Sequence, residues 1–306
     1  MQEGSKKAIV AAFFANLGIA VAKFVGFFFT GAASMLAEAV HSVADSTNQG
    51  LLLLGGKRAK RPATEEHPFG YGRERYFWAF VVALVIFSLG SLFALFEGEE
   101  KLRHPHELES AGWAVAILVV AIAFEGLSLR TAVHESRAAK GSRSWWTFVR
   151  RSKSPELPVV LLEDTGALLG LVFALTGIGI AELTGNPRWD AVGSIAIGLL
   201  LGAIAIVLVI EMKSLLIGES ASPAEVERIC GALTEDGRVE RVVHMRTEHL
   251  GPDELLVAAK ILVAADRSLG EVADLIDEAE ARVRAVVPSA RVIYLEPDID
   301  RSPAGS

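Results

Sequence analysis

Six stretches of this 306-residue chain are each long and apolar enough to cross a bilayer, and that constrains the fold before anything else. A hydrocarbon core about 30 Å thick needs roughly 20 mostly apolar helical residues. Residues 8–29, 32–55, 77–96, 111–129, 157–181 and 191–210 meet that requirement, and the third and sixth carry no charge at all. Lipid offers no partner for backbone polar groups, so these segments are expected to be helices. The first is not a cleavable signal peptide, because its apolar run outlasts an h-region and lacks a small-residue cleavage site.

Lysine and arginine set the orientation. Loop 56–76 carries Lys57, Arg58, Lys60, Arg61, Arg73 and Arg75, and loop 130–156 carries Arg130, Arg137, Lys140, Arg143, Arg150, Arg151 and Lys153. Loop 97–110 has only Lys101 and Arg103, and the connection 182–190 has only Arg188. With Lys6 and Lys7 on the side of the basic loops, both termini are expected in the cytoplasm. Trp145, Trp146 and Phe148 before Arg150 and Arg151 read as a short amphipathic segment at the cytoplasmic interface.

A chain that is 51% hydrophobic yet 22% charged should combine a membrane part with a soluble one. The charge is uneven: residues 219–306 hold 18 acids and 10 bases, whereas the first 218 hold 19 and 20. An acidic tail argues against nucleic acid as a partner, since binding phosphate needs a basic surface. The single cysteine, Cys230, excludes a disulfide framework and multi-cysteine metal sites. The expected domains are a membrane region over 1–217, a soluble domain over 218–300 and a short tail over 301–306.

In the soluble domain, Ser222-Pro223-Ala224-Glu225 opens a helix with a capping residue, a first-turn proline and an acid three residues after the cap. Residues 239–246 and 254–263 read as strands joined at Gly251-Pro252-Asp253. Residues 268–287 are predicted helical, capped by Ser268, with Leu269, Val272, Ala273, Ile276, Ala279 and Val283 at helical spacing. Residues 290–295 form a last strand. The order αββαβ predicts a small α+β, ferredoxin-like domain of three strands with two helices on one face. Its size, near 80 residues, points to pairing with a second copy.

Ionisable groups inside a span cost roughly 2.5–3.5 kcal/mol each and need a reason. In the second span His41 and Asp45 stand four apart, on one helix face, with Glu38, Ser42, Asn48 and Gln49 extending the stripe. An imidazole beside a carboxylate at this spacing is half of a tetrahedral metal site. A metal-free proton relay and polar packing between helices are the other two readings. In the fifth span Glu163 and Asp164 are adjacent, about 100° apart on a helix, so both cannot lie centrally on one face. Gly166 and Gly170 there allow close helix approach. Glu125 in the fourth span reads equally as a contact to a basic loop or as a pathway residue. Lys23 in the first can snorkel to an interface, and Asn16 can reach the polar stripe or bond a neighbouring helix.

These residues resemble the cation diffusion facilitator, or cation efflux, family of divalent-metal/proton antiporters. The resemblance rests on Thr30-Gly31-Ala32-Ala33-Ser34, His41-Ser42-Val43-Ala44-Asp45 and His67-Pro68-Phe69-Gly70-Tyr71-Gly72-Arg73-Glu74. It continues through Leu161 to Gly170 and Thr184-Gly185-Asn186-Pro187-Arg188-Trp189-Asp190, which look most like the branch that includes a mitochondrial zinc exporter. It implies a six-helix transmembrane bundle with an αββαβ, metallochaperone-like cytoplasmic domain, and a transport site between the second and fifth spans built from two pairs of ligands at i, i+4. His41 and Asp45 match the first pair. In the second, Asp164 matches, but Val160 stands four residues before it, which leaves Glu163, Asn48 or water as the fourth ligand. The metal residues so implied are His41, Asp45, Glu163 and Asp164. In the loop after the second span, Tyr71 replaces a family histidine, so His67 is read as shaping the loop. In the tail, Tyr294 stands where a histidine often does, and His244 and His249 are read as ordinary surface histidines.

The resulting expectation is a homodimeric, non-enzymatic secondary transporter in a bacterial inner membrane. It would export Zn²⁺ in exchange for H⁺ by alternating access and carry no prosthetic group. His41 would bind metal as neutral imidazole and trade it for a proton. Co²⁺, Fe²⁺, Mn²⁺ and Cd²⁺ are also admissible cargo. The competing expectation is a membrane scaffold or sensor that binds metal and signals through its tail. No nucleophile–base pair or HExxH motif stands in any span.

Overall fold

The computed structural model describes residues 33–105 and 111–301, together with residues 9, 10, 13, 14, 16–21, 24, 25 and 28. The side chains of residues 33–41, 44, 87, 111, 113 and 114 lie outside that description. Nine of the 22 residues of the first expected span, Lys23 among them, therefore lie outside it too, though Asn16 is seen and is buried. The chain divides into two compact units, one running to Arg61 and resuming over Glu74–Lys213, the other joining Pro62–Arg73 to the residues from Ser214 onward.

The first unit is helical: α1 (Ala33–Arg58), α2 (Glu74–Val85), a π-helical turn (Ile86–Ser91), α3 (Leu92–Arg103), α4 (Ala111–Lys140), α5 (Trp145–Arg151), α6 (Glu156–Thr184) and α7 (Arg188–Ile217). Among the described residues, four continuous helical stretches are long and apolar enough to cross a membrane: Glu74–Arg103, Val115–Lys140, Glu156–Thr184 and Arg188–Ile217. α1 is nearly as long, 26 residues, or about 39 Å at 1.5 Å per residue, but its polar stripe makes it less apolar. The helices overrun the expected apolar segments at one or both ends, most of all α4, which continues from residue 129 to Lys140. Apolarity marks where lipid ends, whereas the backbone hydrogen bonds continue until a cap or a glycine stops them.

α6 ends at Gly185, whose φ of 65° suits a residue without Cβ, and whose N–H reaches the Ala181 carbonyl. α7 then packs back on α6: a Cβ on Gly177 would lie 2.9 Å from the Trp189 carbonyl oxygen. α7 also touches α3, where a Cβ on Gly198 would meet Leu95 Cγ at 2.6 Å and its backbone N at 2.9 Å. Ser91 Oγ, at the end of the π turn, donates to the Gly198 carbonyl at 2.8 Å. The two glycines thus let backbones approach closely, as small residues do in membrane bundles.

The second unit follows the order αββαβ: α8 (Pro223–Thr234), β1 (Val239–Gly251), β2 (Glu254–Val263), α9 (Leu269–Val286) and β3 (Ala290–Asp298). The sheet order is β1-β2-β3, with β1 antiparallel and β3 parallel to β2. Both helices begin with full capping boxes, Ser222 with Glu225 and Ser268 with Glu271. Leu255, Val257, Ala259, Ile261 and Val263 alternate onto the face that α8 and α9 cover through Ile229, Leu233, Leu275, Ala279 and Val283.

Two strand ends and one helix face differ from expectation, and His249, expected at the surface, is buried within β1, 3% exposed. β1 runs on to Gly251 because the hairpin turn is only Pro252 and Asp253. β3 runs past Leu295 through Pro297, tolerated because β3 is an edge strand. The inward face of α9 centres on Leu275, not on Leu269 and Ala273, which are exposed. At 100° per residue those two sit about 120° and 160° away from Leu275.

The segment 62–73 is stitched to β1. Arg73 pairs with Glu248, and Gly72 lies so close to Leu250 that a Cβ there would sit 2.7 Å from its carbonyl oxygen. His67 shapes this loop through its backbone, bonded to Thr64 and Gly70, while its ring stacks edge-on against Tyr71 at 4.6 Å.

Candidate metal centre

α1 carries Ser42, Asp45 and Asn48 at three-residue spacing, which holds them within an arc of roughly 120° on one helix face. All three line a cavity of about 340 Å³ inside the helical unit, as do Glu163 of α6 and Glu125 of α4. Along α6 the lining runs from Glu163 to Ile178, a path of about 22 Å at 1.5 Å per residue. Its walls are apolar, with Leu89, Phe93 and Ala174 among them.

The two adjacent carboxylates of α6 face different neighbours. Glu163 turns to α1, where Asn48 Nδ2 donates to Oε1 at 2.9 Å and Gln49 Nε2 donates to Oε2 at 3.0 Å. Asp164 turns to α4 and accepts from Ser128 Oγ at 2.8 Å. Glu163 lines the cavity and Asp164 does not, although both are buried. The Asp45 carboxylate lies within electrostatic reach of both, and Glu125 within reach of Glu163. Among the described residues, Asn48 Oδ1 and Gln49 Oε1 are buried without a hydrogen-bond partner. A buried acceptor left unpaired costs about 1–3 kcal/mol.

The two ends of the cavity differ. At the α6–α7 hairpin end, Lys101 sits between Glu97 at 3.1 Å and Asp190 at 3.0 Å, and all three line the cavity. Beyond Glu163, toward the start of α6, the cavity lining stops, and Leu157, Val159 and Val160 are fully packed. There Arg75 grips Glu156 in a two-pronged ion pair, Nη2 to Oε2 at 2.9 Å and Nε to Oε1, with side chains 3% and 1% exposed.

Of the four residues expected to hold metal, Asp45 and Glu163 face one cavity and Asp164 is turned away to Ser128. The side chain of His41 lies outside the described residues; its backbone is helical, one turn before Asp45. Among the described residues no three histidine, cysteine or acidic side chains stand close enough together to hold a metal ion. Sequence reasoning missed Ser128 as the partner of Asp164 and the Arg75–Glu156 pair. Glu125 and Ser128, three apart in an otherwise apolar span, were the available signal for the first. A charge flanking each of two spans was the only signal for the second.

The helical unit, with its membrane-length apolar helices and a carboxylate- and amide-lined cavity, is followed in the chain by a small three-stranded α+β unit. Two family models match in that order, the cation efflux transmembrane domain over residues 9–217 and the cation efflux protein cytoplasmic domain over 221–298. The chain belongs to the cation efflux family. It is 36% identical to the mitochondrial proton-coupled zinc antiporter SLC30A9 of Homo sapiens over 242 residues, 78% of this chain and 42% of that protein. It is 30% identical to metal tolerance protein C4 of Arabidopsis thaliana over 84% of this chain and 57% of that protein. With the cation-efflux pump FieF of Shewanella oneidensis it shares 27% identity over 92% of this chain and 90% of the pump. The chain thus spans about half the length of the first two relatives and nearly all of the third.

Proposed function

We propose that this protein exports Zn²⁺ from the cytoplasm in exchange for protons by alternating access, with Asp45, Glu163 and His41 as the cation-binding residues. The observation that carries the proposal is the shared cavity: Asp45 from α1 and Glu163 from α6 face it together, one helical turn after His41. A divalent ion there would be neutralised by carboxylates within apolar walls, and its binding would release protons from those ligands. Asp164 acts indirectly, through Ser128 and the packing of α4 on α6. The arrangement fits one phase of an alternating cycle, with the packed residues and the Arg75–Glu156 pair closing the cavity beyond Glu163. The name of the human relative supports zinc and proton coupling.

On this reading residues 8–29 and α1 complete six spans, both termini are cytoplasmic, and the membrane is a bacterial inner membrane. The residues from 218 to 300 pair with a second copy of the chain. The half-buried face of the sheet opposite α8 and α9, with Leu256, Val292 and the exposed Tyr294, suits such pairing.

The test is Zn²⁺ uptake with luminal pH recorded in parallel, in proteoliposomes carrying wild type, Asp45→Ala, Glu163→Gln or Asp164→Asn. Zinc-driven proton movement is expected in wild type, abolished in the first two variants and reduced in the third. If folded wild type moves neither Zn²⁺ nor protons, and Mn²⁺, Fe²⁺ and Co²⁺ fare no better, the antiporter reading fails and a metal-binding scaffold or sensor takes its place.

A further inference from the structure

We infer that Asn48 supplies a neutral oxygen ligand, Oδ1, to the transported cation, and that Gln49 is a positioning residue that aims Glu163 at it. The inference rests on the proposed transport reading; it takes Asn48 from among the open candidates for a fourth ligand and adds Gln49 to the site.

Each amide commits its N–H to one oxygen of Glu163. Turning either amide over would set a carbonyl oxygen against the carboxylate, so Glu163 fixes both orientations. The consequence is a pair of buried carbonyl oxygens on neighbouring residues of one helix, neither with a donor. Polar glue between helices would gain nothing from that arrangement, because glue is strongest when every atom of the amide is used. Asn48 is 2% exposed and lines the cavity beside Asp45 and Glu163, whereas Gln49 is fully buried and does not line it. Asn48 Oδ1 is therefore the unused acceptor on the residue that meets the cargo.

Amide carbonyls serve as ligands for hard divalent cations, Mn²⁺ better than Zn²⁺. Glu163 keeps lone pairs for metal while accepting both N–H groups, since a carboxylate offers about four acceptor positions. With His41, proposed above as a ligand, the set would be one nitrogen and three oxygens. Such a set is harder than one with two imidazoles, so it discriminates less between Zn²⁺ and Mn²⁺.

The experiment uses the full chain, with ZnCl₂ and MnCl₂ as probes, and reads transport KM and the cation-induced rise in melting temperature. In Asn48→Ala the KM for both ions is expected to rise about ten-fold or more, and in Gln49→Met by about ten-fold, the scale seen when a ligand loses its support. Asn48→Asp places an anionic oxygen at the same point, so the cation-free protein should melt lower and the Zn²⁺-induced rise should grow. Asn48→His should shift preference toward Zn²⁺ over Mn²⁺. If Asn48→Ala keeps KM within about two-fold of wild type, or Asn48→Asp lowers the melting temperature with no larger Zn²⁺ response, the amides are helix glue and the inference falls. Should Asn48→Ala not fold, the Asn48→Asp response decides alone. A wild type that moves no divalent cation fails the transport reading instead, a distinct result.

Discussion

The Arg75–Glu156 pair offers the sharpest test of how the helical unit is held. Glu156→Gln leaves the Arg75 guanidinium, 3% exposed, in place and takes away the carboxylate that it grips. A buried charge stripped of its partner destabilises by about 3–5 kcal/mol, because the desolvation cost stays while the attraction is lost. For a unit of this size each kcal/mol shifts the midpoint by about 2–4 °C, so a fall of about 6–20 °C is expected. The apolar replacement Arg75→Met with Glu156→Leu removes both charges at once and should recover most of the loss, since replacing a buried pair is often neutral. The assay is thermal unfolding of four proteins, wild type, Glu156→Gln, Arg75→Met and the double variant, purified in one detergent. If Glu156→Gln melts within about 2 °C of wild type, the pair is hydrated in solution and its role in closing the cavity is refuted. If the double variant melts as low as the single ones, shape rather than charge pairing holds these helices.

Gly198→Ala should lower the melting temperature by an amount corresponding to about 1–3 kcal/mol, because its Cβ would press on the backbone and side chain of Leu95; an unchanged melt would mean that α3 and α7 stand further apart. Val160→His restores the residue that the family pattern expects four before Asp164, yet it should destabilise and leave the KM for Zn²⁺ no lower, because Val160 is fully buried and does not line the cavity. A lower KM in that variant would make the Asp164 face the transport site. Hydrogen bonds from the Ser268 backbone and hydroxyl hold Glu271 below its ordinary value; burial pushes Glu225 up, but Ser222 and nearby charges leave it lowered overall. Depressed carboxylates contribute stability above their unfolded pKa, about 4.3, and lose it as pH falls through the folded value. Melting of the soluble unit should therefore stay level from pH 7 to about 5 and fall below about 4. Ser268→Ala should narrow that difference, and an acid response unaltered by it would remove the capping box as a cause.

The soluble unit was largely legible because its signals are local. A serine, a proline and an acid three residues on specify a helix start within one turn, and alternation specifies which side of β2 is core. Failures appear where a distant partner decides. Thr247 to Leu250 remain strand because Leu255 to Val257 pair with them across a two-residue turn, and Leu275 points inward because of where the sheet lies. The four long apolar helices were legible from their length, but the π turn at Ile86–Ser91 was not. Its Ser91 is anchored by Gly198, more than a hundred residues away.

The site shows the same division at finer scale. Adjacent carboxylates on a helix must diverge by about 100°, which is local and was evident from the sequence. Which of the two meets the cavity depends on the rotation of α6 about its axis, and no residue near Glu163 encodes that angle alone. The neighbours set it: Gly166 leaves room for Ile204 of α7 and Leu201 beside it, Ser128 of α4 claims Asp164, and two amides of α1 claim Glu163. Once Asp164 is committed to α4, a residue four earlier falls on the same side of the helix, where Val160 is fully packed. A ligand there would add nothing to the cavity. The absent histidine and the turned-away aspartate thus have one cause, and the carboxylate that faces the cavity is the neighbour that the family spacing does not count.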